Sequence, residues 1–295
     1  MTPIHCIAAL AAALLLAPAG ARAADPVELV TREFTIEAPE TLARGWHDFR
    51  FTNRGGQTHF VYFYRLVDGK TIADQLAEVV PAFDAVMEGL RSGELGKEDI
   101  GPWMGEHIPP WGLQMTPAGG VGLLAPGQSA EATLLLDEPG TYLFECYVKS
   151  PDGRWHTSMG MLKEVRVTAE DSGGTEPEAD VTIRVGDEGV AAPDRLGAGR
   201  HVVRIDFVDT PPSFMPYDLH LARLRDDTDL DRVLFWMDWS NVGGLRAPAP
   251  VEFLGGVENL RGGAHGYLSV DLKPGRYLWI SETLADTHHR VFTVN

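Results

Sequence analysis

Cysteine is nearly absent from this chain: 295 residues hold two, Cys6 and Cys146. Cys6 precedes an apolar run, Ile7 to Ala17, that is too short to span a bilayer and is followed by Ala21-Arg22-Ala23, the small-x-small pattern of a signal peptidase site. Residues 1–24 therefore read as an export signal, and the expected location is the periplasm or outside the cell. With the signal removed, Cys146 stands alone, which excludes an intrachain disulfide. A free thiol in an oxidising compartment calls for burial, a metal or an intermolecular partner.

No later run is long and apolar enough for a membrane span. Basic residues are scarce, 25 Lys plus Arg against 42 Asp plus Glu, for a formal net charge of -17. Such a surface repels nucleic acid and anionic lipid, and it can steer cations or cationic partners toward the protein. Catalytic signatures are also missing. There is no HExxH, no nucleophile turn and no strand-to-helix phosphate loop. Carboxylates are too evenly spread to single out a glycosidase pair. The paired His-x-His segments that a trinuclear copper centre needs do not occur, the only close pair being His288-His289. The expectation is a protein that is not an enzyme.

What is abundant is short strands bounded by Gly, Pro or Asp, as in "HDFRFTN", "THFVYFYRLV" and "KEVRVTA". They fall into two blocks, 25–168 and 180–295, separated by a polar linker at 169–179 that contains Gly173, Gly174 and Pro177. The blocks share an order of segments, most clearly in "EATLLLDEPGTYLFEC" and "GYLSVDLKPGRYLWIS", each a strand, a Pro-Gly turn and a return strand. That pattern predicts an internal duplication. On the return strands Tyr142, Phe144 and Cys146 share one parity, as do Tyr277, Trp279 and Ser281, which aims Cys146 at the core. Thr71 with Asp74, and Thr228 with Asp231, fit capping boxes that open helical insertions. Pro81 is expected to break or kink the first. The run "GPWMGEHIPPWGLQM" reads as a loop whose Trp103 and Trp111 pack an edge.

The stretch "GTYLFEC", followed by His156, "GM" at Gly160-Met161 and the last strand "KEVRVTA", resembles the cupredoxins, the blue-copper β-sandwich family. The resemblance implies an all-β fold class, two tandem cupredoxin-like Greek-key sandwiches with short helical insertions. It further implies a copper site in which Cys146 is the thiolate, His156 the histidine of the ligand loop, Met161 the axial thioether and His59 the upstream histidine. Met159 is a competing sulfur. Cysteine plus two histidines with a weak methionine suits copper electron transfer, since sulfur favours Cu(I) and imidazole serves both oxidation states. One departure stands out: nine residues, "YVKSPDGRW", separate Cys146 from His156, where the family has only a few. A tight turn at Pro151-Asp152-Gly153 would fold the excess into a small hairpin.

The other first-half candidates, His47, His107, Met104 and Met115, are weaker. In the second half Ser281 stands where Cys146 does, Tyr217 near His59 and His288 near Met161, so that half reads as a degenerate copy. His220, His265, His288 and His289 lack a sulfur partner there. The expected function is exported copper binding, in electron transfer or in copper carriage and sequestration, with a redox or copper-transfer partner protein. The alternative is a metal-free tandem sandwich that serves as an interaction or ligand-binding module of the cell envelope.

Overall fold

The computed structural model describes residues 25–211 and 215–295, so the predicted export signal lies outside the described residues. Strands dominate. The first half contains β1 (Val27–Arg32), β2 (Thr35–Glu37), β3 (Thr41–Asn53), β4 (His59–Arg65), β5 (Thr116–Leu124), β6 (Ser129–Leu136), β7 (Gly140–Glu145) and β8 (Leu162–Asp171). The second contains β9 (Val181–Gly186), β10 (Gly189–Ala191), β11 (Arg195–Leu196), β12 (Gly199–Phe207), β13 (Tyr217–Leu224), β14 (Glu252–Leu260), β15 (His265–Leu272), β16 (Gly275–Ile280) and β17 (His289–Val294). No helix among the described residues is long and apolar enough to cross a membrane.

Two sets of pairings run through both halves. In one, β1 lies parallel to β3, β3 antiparallel to β6, and β12 joins β9 and β15 in the same manner. In the other, β4 sits between β5 and β7, β7 pairs β8, and β13, β14, β16 and β17 repeat that order. The registers repeat as well. Tyr62 faces Gly120 on one side and Glu145 on the other, while His220 faces Gly256 and Ile280.

The halves are joined by strands rather than by the linker alone. β14 pairs antiparallel with β5 and β15 with β6, so each set of pairings crosses the boundary. Gly120 and Gly256 relieve crowding of the two seam strands against their neighbours within each half, β5 against β4 and β14 against β13. Both have positive φ, 143° and 153°, and a Cβ on either would stand 2.1 or 2.2 Å from the carbonyl oxygen of Val61 or Leu219. Only glycine fits.

β4 is buried along "HFVYFY" on both faces, which explains its unbroken apolar run. Beside it in the sheet runs β7, where the cross-strand pair Phe63 and Phe144 stack with ring centroids 3.8 Å apart. Helical segments fill the excursion between β4 and β5. α1 (Ile72–Asp74) opens with the expected capping box at Thr71, passes into a π-helical stretch, Gln75–Val79, and then into α2 (Val80–Ser92), where Pro81 occupies the first turn. The helical run is thus unbroken from Ile72 to Ser92, and the disturbance expected at Pro81 takes the form of a change from π- to α-helical hydrogen bonding directly before it, where the ladder lacks the proline N–H.

The run predicted as a loop opens as a helix, α3 (Ile100–His107), and ends in a single 3-10 turn at Gly112–Gln114. Ile100, Met104 and Ile108 recur every fourth residue and pack on Ala82 and Val86. In the second half α4 (Leu230–Met237) is capped by Asp229, whose carboxylate accepts the Arg232 N–H, and not by Thr228. Thr228 instead accepts the Arg225 N–H in the preceding turn.

Candidate metal centre

Strand parity carries Cys146 into the interior, one residue past the end of β7, where its side chain is 0% exposed. His59 enters from the first position of β4 and is equally buried. His156 has the longer route. Lys149 bridges Trp155 across a turn in which Ser150 N–H donates to the Arg154 carbonyl at 2.9 Å and Gly153 takes φ 89°. The nine intervening residues therefore fold out as a hairpin, and the His156 N–H donates to the Val148 carbonyl at 2.9 Å, two residues beyond Cys146. The insertion leaves the ligand spacing in space short.

The three side chains converge. Cys146 Sγ lies 3.6 Å from Nδ1 of His59 and 3.6 Å from Nδ1 of His156, and the two imidazole centroids are 4.9 Å apart. With metal–nitrogen bonds of about 2.0 Å and metal–sulfur bonds of about 2.3 Å, donors in a trigonal to tetrahedral arrangement stand about 3.5–3.8 Å apart. The observed separations fit one ion held by all three. Met161 is fully buried beside them; its carbonyl accepts the Cys146 N–H at 3.2 Å and its N–H donates to the His156 carbonyl at 3.0 Å. Met159 is only half-buried.

This buried His/Cys/His set with a nearby methionine resembles a type-1 copper site.

Burial sets its electrostatics. Desolvation pushes the Cys146 thiol up to about 12, against a smaller opposing effect of the Phe60 and Val148 N–H groups, which donate toward the sulfur. The same desolvation lowers His59 to about 4 and His156 to about 3. At neutral pH the metal-free site is therefore a thiol between two neutral imidazoles. Binding a cation must release the thiol proton, and the neutral imidazoles are already in the ligating form. Sulfur and imidazole with no carboxylate among the three donors select a soft or borderline transition ion over Ca²⁺ or Mg²⁺. Copper fits this donor set.

Neighbours that the sequence did not mark complete the site. His156 places Nε2 3.2 Å from Gln57 Oε1, so that nitrogen carries the proton and Nδ1 keeps its lone pair for an ion. Phe34 meets the same ring edge-on at 5.3 Å. Gln57 lies in the polar "NRGGQT" turn just before β4, and only the folded turn brings it to His156.

The remaining histidines and methionines lie elsewhere. His47 bonds the Ala43 carbonyl, and His107 stacks on Trp103 at the surface. Met104 fills the small core under α3. His265 pairs with Glu176, and His289 with the Ala285 carbonyl. His265 is the first residue of β15. At the second-half positions matching His59, Cys146 and Met161, Tyr217 stacks on His288, and Ser281 accepts the backbone role of Cys146 by donating its N–H to the His288 carbonyl at 2.9 Å.

A second cluster lies beside that degenerate position. Asp218, His220 and Glu258 bring their ligand atoms within 4.8 Å of one another, all buried. Nε2 of His220 is 3.0 Å from Asp218, while its Nδ1 accepts the Leu123 N–H from the first half at 3.1 Å. His220 matches Tyr62 in register rather than a ligand of the first half. This degenerate site contains no sulfur.

No family model and no curated protein matches the chain. Solved structures do align with it. Reduced auracyanin from Roseiflexus castenholzii is 18% identical over 50% of this chain and 99% of its own, with a TM-score of 0.26. Auracyanin A, a "blue" copper protein from Chloroflexus aurantiacus, is 18% identical over 49% of this chain and 100% of its own, with a TM-score of 0.28. A multicopper oxidase is 16% identical over 91% of this chain and 88% of its own, with a TM-score of 0.23.

Proposed function

We propose that the protein binds one copper ion through Nδ1 of His59, Sγ of Cys146 and Nδ1 of His156, with the Met161 thioether as a weak fourth donor, and that it carries single electrons. The observation that carries this reading is the 3.6 Å placement of both Nδ1 atoms about one buried sulfur. When bound, the ion supplies a one-electron couple. The chain's part is to hold the three donors fixed: two are pinned by strands, and the third by the Val148 and Gln57 hydrogen bonds. Water is excluded by burial, so little has to rearrange between oxidation states.

Complete burial of all three donors favours electron transfer over copper carriage. An electron can leave through packed side chains, whereas an ion can leave only if the ligand loop opens. Rapid one-electron reduction of the copper form, with slow loss of copper to an added chelator, is the expected pair of results. Copper loss as fast as that from a surface site would favour carriage.

The halves are read as copies of one cupredoxin-like module in tandem. The repeated strand order supports this, as do Tyr142 and Tyr277, each of which donates its hydroxyl to a carbonyl four residues upstream at 2.8 Å. The second copy has Ser281 in place of the cysteine and supplies the strands that pair with β5 and β6. The protein is further proposed to be exported, to deliver electrons to or from a redox partner protein, and to catalyse no reaction of its own.

A further inference from the structure

The hairpin that carries His156 leans on the other half of the molecule. Fourteen residues separate Cys146 from Met161, whereas six separate Ser281 from His288, the pair joined by the same N–H to carbonyl bond in the second half. The excess is the hairpin, and it belongs to the copy that has the cysteine. Its outgoing arm contains Lys149, whose side chain is 0% exposed. Lysine is almost never buried this far unless its ammonium is paired. Here Nζ donates to the Trp239 carbonyl at 2.9 Å and to the Asn241 carbonyl at 2.7 Å, and it lies 4.6 Å from the centre of the Trp155 ring. Two carbonyls and a ring face engage the three N–H groups of an ammonium. Both carbonyls come from the second half.

The backbone repeats the connection. Lys149 N–H donates to the Leu245 carbonyl at 2.7 Å, and its carbonyl accepts the Ala247 N–H at 2.8 Å, a parallel bridge to Arg246. Arg246 in turn donates through Nε to the Pro151 carbonyl at 2.9 Å, at the turn of the hairpin. The platform is itself fixed. Leu245 N–H donates to the Trp236 carbonyl and Trp236 Nε1 to the Arg246 carbonyl, both at 2.6 Å, which ties this segment to the last turn of α4. On the hairpin side the path to the ligand is short: Lys149 bridges Trp155, and its neighbour Val148 accepts the His156 N–H.

We propose that the second half holds the ligand hairpin in place, with Lys149 as the positioning residue and Arg246 as its outer tie, so that His156 Nδ1 stays beside the Cys146 sulfur. The inference rests on reading His59, Cys146 and His156 as one metal site. Taking an amine out of water is costly, and burial lowers Lys149 to about 7. An apolar side chain of the same length would cover Trp155 without that cost. What it lacks is directional bonds to two carbonyls of the other half, and direction is what a ligand at the end of a long excursion needs.

The test uses the full chain and three variants: Lys149→Met, which removes the amine, Arg246→Ala, an exposed change that frees Pro151, and Ile183→Val, a control that lowers stability in the core at β9. Amide hydrogen exchange is followed in the metal-free proteins, and copper loss to a chelator and the visible spectrum in the Cu(II) forms. Lys149→Met should speed exchange at the Ser150, Gly153 and His156 N–H groups, speed copper loss about tenfold and alter the shape of the visible bands. Arg246→Ala should do the same to a smaller extent, and it decides alone if Lys149→Met does not fold. Ile183→Val should leave hairpin exchange and spectrum as in the wild type. The proposal is overturned if the folded variants keep wild-type exchange in the hairpin, if exchange rises while copper loss and spectrum stay unchanged, or if Ile183→Val reproduces the effects. A wild type that binds no copper overturns the reading of the centre and this role with it. That outcome is distinct from a failed clamp, in which wild-type copper binding persists.

Discussion

Gln57 holds the outer nitrogen of His156, and its loss is expected to loosen the ligand without removing it. Replacing an outer hydrogen-bond partner of a ligating histidine typically lowers metal affinity by about 10–100-fold. Gln57→Leu should show that loss in competition with a chelator while the thermal midpoint of the metal-free protein changes little. A second prediction concerns the buried acids of the other half. Burial, with Asp218 and Glu282 nearby, raises the Glu258 carboxyl well above its ordinary value of 4.5, and neither of its oxygens has a hydrogen-bond partner among the described residues, His220 Nδ1 standing 3.8 Å from Oε1. Glu282 is raised in the same direction, by burial first and then by Asp218. A raised folded value means that the native state binds more protons than the unfolded one. The contribution is therefore full below about pH 4.5 and is lost as pH rises through the folded values. His59 and His156, lowered by burial, act in the opposite direction over the same range, so the carboxyl contribution is read as a difference: the gap in denaturant midpoint between Glu258→Gln and the wild type should shift in favour of the variant as pH rises from 5 to 8, leaving the variant the more stable at pH 8. Equal midpoints for both proteins at pH 8 would contradict this account of Glu258.

The hairpin between Cys146 and His156 is the element on which the site depends. Gly153 at φ 89° closes it, and a side chain there is strained by about 1–2 kcal/mol. Gly153→Val should lower stability by at least that amount and weaken copper binding, because Trp155 and His156 are placed by the return arm. An unchanged copper affinity would mean that the loop is not what positions His156. Much of this element is legible in the chain itself: parity aims Cys146 inward, and Pro151-Asp152-Gly153 announces the turn. His59 is legible only through strand order, since nothing local ties it to a residue 87 positions away. Gln57 and Gln75 carry no sequence signal, because a glutamine becomes significant only when folding leaves it buried. α3 reads as a loop because Pro102, Pro109 and Pro110 outweigh propensity. Its helix rests on three apolar residues that pack on α2, a tertiary effect that propensity does not contain. The cap of α4 shifts by one residue for a similar reason: Thr228 is engaged in the turn before it.

At the scale of the molecule, the seam between the halves is the feature that composition and spacing conceal. The linker at 169–179 looks like the joint, and β8 in fact runs on to Asp171. The firmer connection is made by β5 with β14 and β6 with β15, backed by a core cluster that includes residues of both halves. Calorimetry of the metal-free protein should show one cooperative transition, and two well-separated transitions would contradict the seam. The shared core also gives the half that lacks the cysteine a structural part: its β14 pairs with β5, which lies beside the strand that carries His59.

The central claim, a single copper held by His59, Cys146 and His156, is tested most directly by visible absorption during addition of Cu(II) to the purified protein. An intense band toward the red end of the spectrum that saturates at one copper per chain and disappears in Cys146→Ser is the expected result. A protein that binds neither Cu(II) nor Cu(I) at micromolar copper, or a band that survives Cys146→Ser, would contradict it.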